Sequence, residues 1–289
     1  MKFYFTNVLL SLFAASSLIT GISGCNSNNS NASAKTQQEV KEVKIGGSSS
    51  TYPVMKILTD AYSAKVTTTT ANFAAPSQSE AAIAGVKEGV FDVASISKQV
   101  KPEEKDNNLD YYEFAQDALL VATHPSVKGV TNLTTENLKA IYSGKMTNWK
   151  QFGGPDAKIV VLDRPEDESA KKLLRKHYLG ESLKNSPNAV VMRKENDLIT
   201  AIQNTQYSIG AFSLGYAVSN KLPVNKLSLD GIEPTPDNLR TKNYKMVRHI
   251  SLVLPKTPKP AAKEMINFAL SAEATKILSE SGFVPSSQK

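Results

Sequence analysis

Three short segments carry residue types that could do chemistry. The first is Gly47-Ser48-Ser49-Ser50-Thr51, set between an apolar stretch holding Val43 and Ile45 and a helical pattern from Pro53 onward. A Gly/Ser loop that opens a helix aims free backbone N–H groups and hydroxyls outward, and the helix start adds about half a positive charge. That makes a seat for an anion without any charged side chain. The same residues also serve as an ordinary N-cap on a flexible turn. The second segment is Ala94-Ser95-Ile96-Ser97-Lys98, just after a strand. Strand ends facing a crevice are where open α/β sheets bind ligands, but a solvated loop reads the same way. The third is Arg164-Pro165-Glu166-Asp167-Glu168-Ser169-Ala170-Lys171, after a strand ending at Leu162. Its carboxylates and Ser169 equally suit a well-capped surface helix.

Catalytic and metal chemistries find little support. His124, His177 and His249 stand apart, without metal-ligand spacing. His177 falls on an apolar helix face with Ala170, Leu173 and Leu174, where a packed core histidine is the simpler reading. There is no nucleophile elbow, and Gly-Ser-Ser-Ser-Thr lacks the Gly-Lys-Ser/Thr ending of a P-loop. Trp149, the only tryptophan, reads as a packing residue. The expectation is a binding protein without metal or cofactor, and not an enzyme.

These segments need elements to position them. Val43 and Ile45 begin a short strand. Val54, Ile57, Leu58 and Ala61 form one helical face, and Pro53 suits its first turn. Ala81 to Lys87 predicts a helix, Phe91 to Ser95 a strand, and Ala118 to Ala122 a short strand stopped by Pro125. Thr134-Thr135-Glu136 caps a helix carrying Leu138, Ile141 and Tyr142. Further strands are expected at Lys158–Leu162, Ala189–Met192, Ser208–Phe212 and His249–Leu254, with a helix at Leu198–Ile202 and two more at the C-terminal end. Alternating β and α with short connections argues for an α/β fold with largely parallel sheets. Two lobes fit better than one. Residues 42–122 with 248–289 would make lobe 1, and 123–247 lobe 2. Strands near Leu119–Ala122 and His249–Leu254 would cross between them and leave a hinged cleft.

The beginning of the chain reads differently. After Lys2, Val8 to Ile22 is mostly apolar, about the length of a signal h-region and shorter than the ~20 residues of a membrane span. Ile22-Ser23-Gly24-Cys25 resembles the lipobox of bacterial lipoproteins, so residues 1–24 are expected to be a signal peptide and Cys25 the lipidation site. Cys25 is the only cysteine, which excludes an intramolecular disulfide. Residues 25–41 are rich in Asn and Ser and read as a flexible tether. The net charge of +7 suits an anion-binding surface. It is too diffuse for nucleic acid, with no basic run and no aromatic-basic interleaving.

From about Val43 to Pro285 the chain resembles the phosphate-binding proteins of bacterial phosphate ABC importers. IGGSSSTYP is similar to that family's strand–GSTT-YP–helix opening, and FDVASISKQVKPEE to its DFGASSRPLKPEE stretch. LTTENLKAIYSGKMTNWKQFGGPDAKIVVLDR carries the most specific match, and IGAFSLGY, DGIEPTPDNL and the terminal GFVP add to it. The resemblance implies a two-lobed Venus-flytrap of the type II periplasmic-binding-protein kind, with mixed, mostly parallel sheets flanked by helices. It also implies a monomeric extracytoplasmic receptor, an ABC permease as partner and phosphate or a related oxyanion as ligand. Ser48, Ser49, Ser50, Ser97, Lys98, Arg164, Ser169 and Lys171 would line the site.

The ligand shell departs from the family's pattern. Asp167-Glu168-Ser169-Ala170-Lys171 stands where phosphate binders usually carry Gly-Ser-Gly-Thr-Arg. Both glycines are gone, Lys171 cannot reproduce a bidentate guanidinium fork, and two carboxylates near a dianion repel it. Ser97 stands where many members have Asp, and Lys98 replaces an Arg. Two outcomes follow: phosphate held with Arg164 or Lys98 supplying charge, or a scaffold retuned for another small ligand. A sensor or adhesin lipoprotein is the reading of a different class.

Overall fold

The computed structural model describes residues 40–286; the leader, Cys25 and most of the tether lie outside the described residues. Strand β1 (Lys41–Gly47) buries Val43 and Ile45 and ends at the Ser-rich loop. Helix α1 (Tyr52–Ser63) follows, with Val54, Met55, Leu58 and Tyr62 as its buried stripe. Next come β2 (Thr69–Phe73), α2 (Ser79–Lys87), β3 (Val93–Ile96), β4 (Leu109–Thr123) and β5 (Asn132–Leu133). They are succeeded by α3 (Thr135–Tyr142), β6 (Val160–Asp163), α4 (Ser169–Leu174), β7 (Val190–Val191), α5 (Glu195–Asn204) and β8 (Ser208–Ser213). The rest is α6 (Leu214–Ser219), β9 (Asn225–Lys226), β10 (Ser228–Leu229), α7 (Pro236–Arg240), β11 (Val247–Pro255), α8 (Pro260–Ala269), α9 (Ala272–Glu280) and β12 (Val284–Pro285).

One hydrogen-bonded path runs β2-β1-β3-β11-β4-β8-β6-β7. Its two ends pair in parallel, β2-β1-β3 on one side and β8-β6-β7 on the other. The antiparallel pairs gather in the middle, on β11 and β4. The fold is mixed α/β with flanking helices and two lobes. Strand β4 belongs to both: its residues up to Ala118 pair with β11, and Leu119–Thr123 pair with β8. The sequence pattern anticipates only the last five apolar residues. The first part, LDYYEFAQD, looks polar, and the partner strands on either side draw it into the sheet. β2 is likewise missing from the expectation, since TTANF is polar and alternates weakly on an edge.

Two main cores form. Val43, Ile45, Leu58, Ile250, Leu252, Ile266 and Leu278 pack in one. Leu138, Ile141, Trp149, Leu198, Ile209 and Phe212 pack in the other, and Ala118–Ala122 join them there. Trp149 is fully buried, with its Nε1 donating to the Tyr207 carbonyl at 2.8 Å, as expected of a packing residue. His177 is only half-buried, on the π turn over Arg175–Leu179 that follows α4, and is not the packed core histidine expected from its helix face.

Candidate functional site

The three segments singled out in the sequence meet. Gly47 lets the first loop lie against β3, since a Cβ there would fall 2.5 Å from Ser95 Oγ and 2.8 Å from the Ser95 carbonyl. Ser48 N donates to that carbonyl at 3.0 Å. Thr51 precedes α1 but makes no cap bond; its hydroxyl donates to the Ser48 carbonyl at 2.9 Å and lies 2.6 Å from Ser95 Oγ. The loop is therefore pinned to the neighbouring strand rather than flexible. Ser48 Oγ then sits 2.9 Å from Ser50 Oγ, and Ser97 Oγ donates to Ser48 Oγ at 3.3 Å. Ser97 Oγ also lies 3.3 Å from Ser169 Oγ at the start of α4.

Four hydroxyls from three segments thus form one cluster. The two 3.3 Å contacts are long for O–H···O bonds, whose usual length is about 2.7–2.8 Å. A cluster bonded this loosely gives up little when a stronger acceptor enters. Ser49 is half-exposed on the same loop. Lys98 borders the cluster with its ammonium 3.2 Å from Glu104 and 3.4 Å from Glu80. A cleft of about 450 Å³ opens beside Ser97, Lys98 and Ser169.

The cations of the third segment are arranged otherwise than the resemblance implies. Lys171 is fully buried and turned into the body, where its Nζ reaches Asp163 at 2.5 Å and Asn185 at 3.1 Å. It packs over the Tyr142 ring and is not brought to the hydroxyl cluster. Apolar Ala170 and Leu174 share its helix and dictate that rotation. Arg164, 2% exposed, has Nη2 2.9 Å from Glu168 Oε2 and donates from Nη1 to the Met192 carbonyl. The Glu168 contact is an ion pair without hydrogen-bond alignment, so Arg164 Nε and Nη2 lack hydrogen-bond partners among the described residues. Glu168 in turn accepts from Gln78 Nε2 at 2.9 Å, a contact joining the two ends of the sheet path.

The remaining acids separate. Glu166 takes a two-pronged contact from Arg175, which holds its carboxyl down at about 2. Asp167 faces a smaller cavity together with Gln78, Ser97 and Ser169. Sequence reasoning missed a buried charge group at the middle strands. Arg248 of β11 lies 3.0 Å from Glu195 and 3.9 Å from Asp117 of β4. Glu195 accepts from Ser213 N, and Asp117 from Gly215 N. Burial first, against the opposing pull of Arg248, pushes the Asp117 carboxyl up to about 6. The available signal was Arg248 itself, a cation near the start of the strand VRHISLVLP, which is mostly apolar beyond it.

A two-lobed α/β body with a polar cluster between its sheet ends defines a solute receptor. A family model for the PBP superfamily domain matches residues 31–273. A phosphate-binding protein PstS from Borreliella burgdorferi is 30% identical over 258 residues, covering 86% of this chain and 92% of its own. PstS from Bacillus subtilis is 26% identical over 292 residues, covering 96% and 93%. A putative phosphate ABC transporter substrate-binding protein from Clostridium perfringens, solved with bound phosphate, superposes with a TM-score of 0.75 at 29% identity, covering 86% of this chain and all of its own. The chain belongs to the PBP superfamily and, within it, to the phosphate-binding proteins of bacterial phosphate ABC importers. These relatives are substrate-binding proteins, and the chain is accordingly not an enzyme.

Proposed function

We propose that this protein is an extracytoplasmic solute receptor that captures phosphate or a related oxyanion and hands it to an ABC permease. The observation that carries this reading is the meeting of Ser48, Ser50, Ser97 and Ser169. Hydroxyls are neutral donors that can rotate to suit an incoming oxyanion. In this reading residues 42–122 with 248–289 form one lobe and 123–247 the other, except that the Leu119–Ala122 end of β4 packs in the core of the second. The middle strands flex, and the Ser97–Ser169 and Gln78–Glu168 contacts part to admit the solute and re-form around it. The names of the relatives support the ligand class.

Thermal unfolding of the full chain with phosphate, sulfate, arsenate, phosphonates and small organic acids tests the reading. A ligand at a hundred times its Kd stabilises by about 2.7 kcal/mol, a shift of about 5–10 °C. No shift with any phosphate-like anion would overturn it. Ser97 touches both neighbouring hydroxyls, so Ser97→Ala is expected to weaken binding about tenfold with little change in the unliganded midpoint. Calorimetric titration reads the affinity.

Lipid anchoring at Cys25 completes the proposal, with the tether holding a monomeric body off the membrane. Fractionation of cells tests it: Cys25→Ser is expected to move the protein from the membrane fraction to the soluble one. An unchanged distribution sinks the anchor without touching the ligand reading.

A further inference from the structure

The unpaired positive charge that an anion could use does not sit at the hydroxyls, where Lys98 is paired with Glu80 and Glu104. Arg164 is held by Glu168, and Lys171 by Asp163. It sits farther along the same cleft. Lys98, Lys172, Lys176, Lys242 and Lys245 line the 450 Å³ space together with His177 and His249, and no carboxylate side chain lines it. Among the described residues, Lys172, Lys176, Lys242 and Lys245 have no ion-pair partner. They come from separate places: Lys172 and Lys176 from α4 and the turn after it, Lys242 and Lys245 from the segment between α7 and β11. His177 reports the convergence. Its pKa is depressed, first by burial and then by the charges of Lys176 and Lys245.

Unpaired like charges facing one space repel each other and draw in an anion. The space is far larger than a tetrahedral oxyanion needs; clefts of about 300–1,000 Å³ suit ligands with a carbon framework. Leu173, Leu239 and Val247 line the same space and give such a framework an apolar surface.

We propose that the solute is an organic phosphate bearing a second anionic group. Its phosphoryl would sit at Ser97 and Ser169, its carbon body on Leu173, Leu239 and Val247, and its second anion against Lys176, Lys242 and Lys245. This rests on the oxyanion-receptor reading and narrows it.

Two esters of the same three-carbon body isolate the second anion: glycerol 3-phosphate lacks it and 3-phosphoglycerate carries it. Calorimetric titration of the full chain with both, and with orthophosphate, is the test. The expected result is about tenfold or tighter binding of 3-phosphoglycerate over glycerol 3-phosphate. The double variant Lys242→Gln with Lys245→Gln is expected to erase most of that advantage and leave glycerol 3-phosphate within about twofold. Both lysines are exposed, so the fold should persist, and an unchanged unfolding midpoint verifies it. Equal affinity for the two esters overturns the proposal, as does an equal loss for both in the variant. Tight orthophosphate binding with neither ester bound also overturns it, while leaving the oxyanion-receptor reading intact. Failure of all three ligands overturns the proposal, and the oxyanion-receptor reading falls with it when sulfate, arsenate and phosphonates fail as well.

Discussion

Replacing Glu168 by serine should raise the affinity for orthophosphate about a hundredfold and, at the same time, destabilise the unliganded protein. Glu168 is 5% exposed, pairs with Arg164 at 2.9 Å, and precedes Ser169 in the hydroxyl cluster. A carboxylate there meets any entering anion as a like charge. At an effective dielectric of about 20, a unit pair some 4–6 Å apart costs about 3–4 kcal/mol. Recovering part of that, about 2.7 kcal/mol, gives the hundredfold gain. The variant also frees the Arg164 guanidinium to donate to the ligand. Before ligand arrives, however, that buried cation has lost its partner, a loss worth about 3–5 kcal/mol. The signature is therefore a lowered midpoint without phosphate and a large recovery with it. Titration calorimetry and thermal unfolding measure the two halves. An unchanged or weakened affinity would mean that Glu168 holds Arg164 in its binding position and does not compete with the ligand.

Arg248→Met should cost about 3–5 kcal/mol of stability and lower the midpoint by on the order of 10 °C. The side chains of Arg248, Glu195 and Asp117 are almost wholly buried, on β11, α5 and β4. Methionine fills much of the volume but leaves two carboxylates without their cation. The sign of the pH dependence follows from Asp117. Its folded pKa, about 6, lies above the ordinary 3.8, so the folded state holds the proton more tightly. That contribution to stability is present below pH ~4 and disappears as pH rises through about 6. Removing the cation enlarges the effect, so the deficit of the variant should narrow as pH falls from 8 to 5. Urea unfolding at the two pH values measures it. A deficit under about 1 kcal/mol, or one independent of pH, would show that the carboxylates find other partners.

Much of this protein is legible in its sequence. Apolar periodicity located α1, α3, α5, α8 and α9, because each buries one stripe against a sheet and the stripe repeats at the helical period. The Ser-rich loop, Ser97 and Ser169 were readable as candidate site residues chiefly through the family resemblance, because serines at helix starts and strand ends serve equally well as ordinary caps and solvated loops. The family was readable from ordered motifs spanning nearly the whole mature body. Weak local patterns failed: the polar half of β4 becomes a strand only because β11 and its neighbours supply hydrogen-bond partners.

By itself, then, the order of residues determined the α/β class, the family and which hydroxyls are available, since these depend on local period and residue type. Tertiary structure alone decided where the charges go. Asp163 draws Lys171 inward, Glu168 occupies Arg164, and Arg248 is shared between Glu195 and Asp117. The lysines from α4 and from before β11, unpaired among the described residues, face one cleft because the fold brings those two distant segments together. Charge pairing acts through space between residues far apart in the chain, and its strength depends on burial, which no local pattern records.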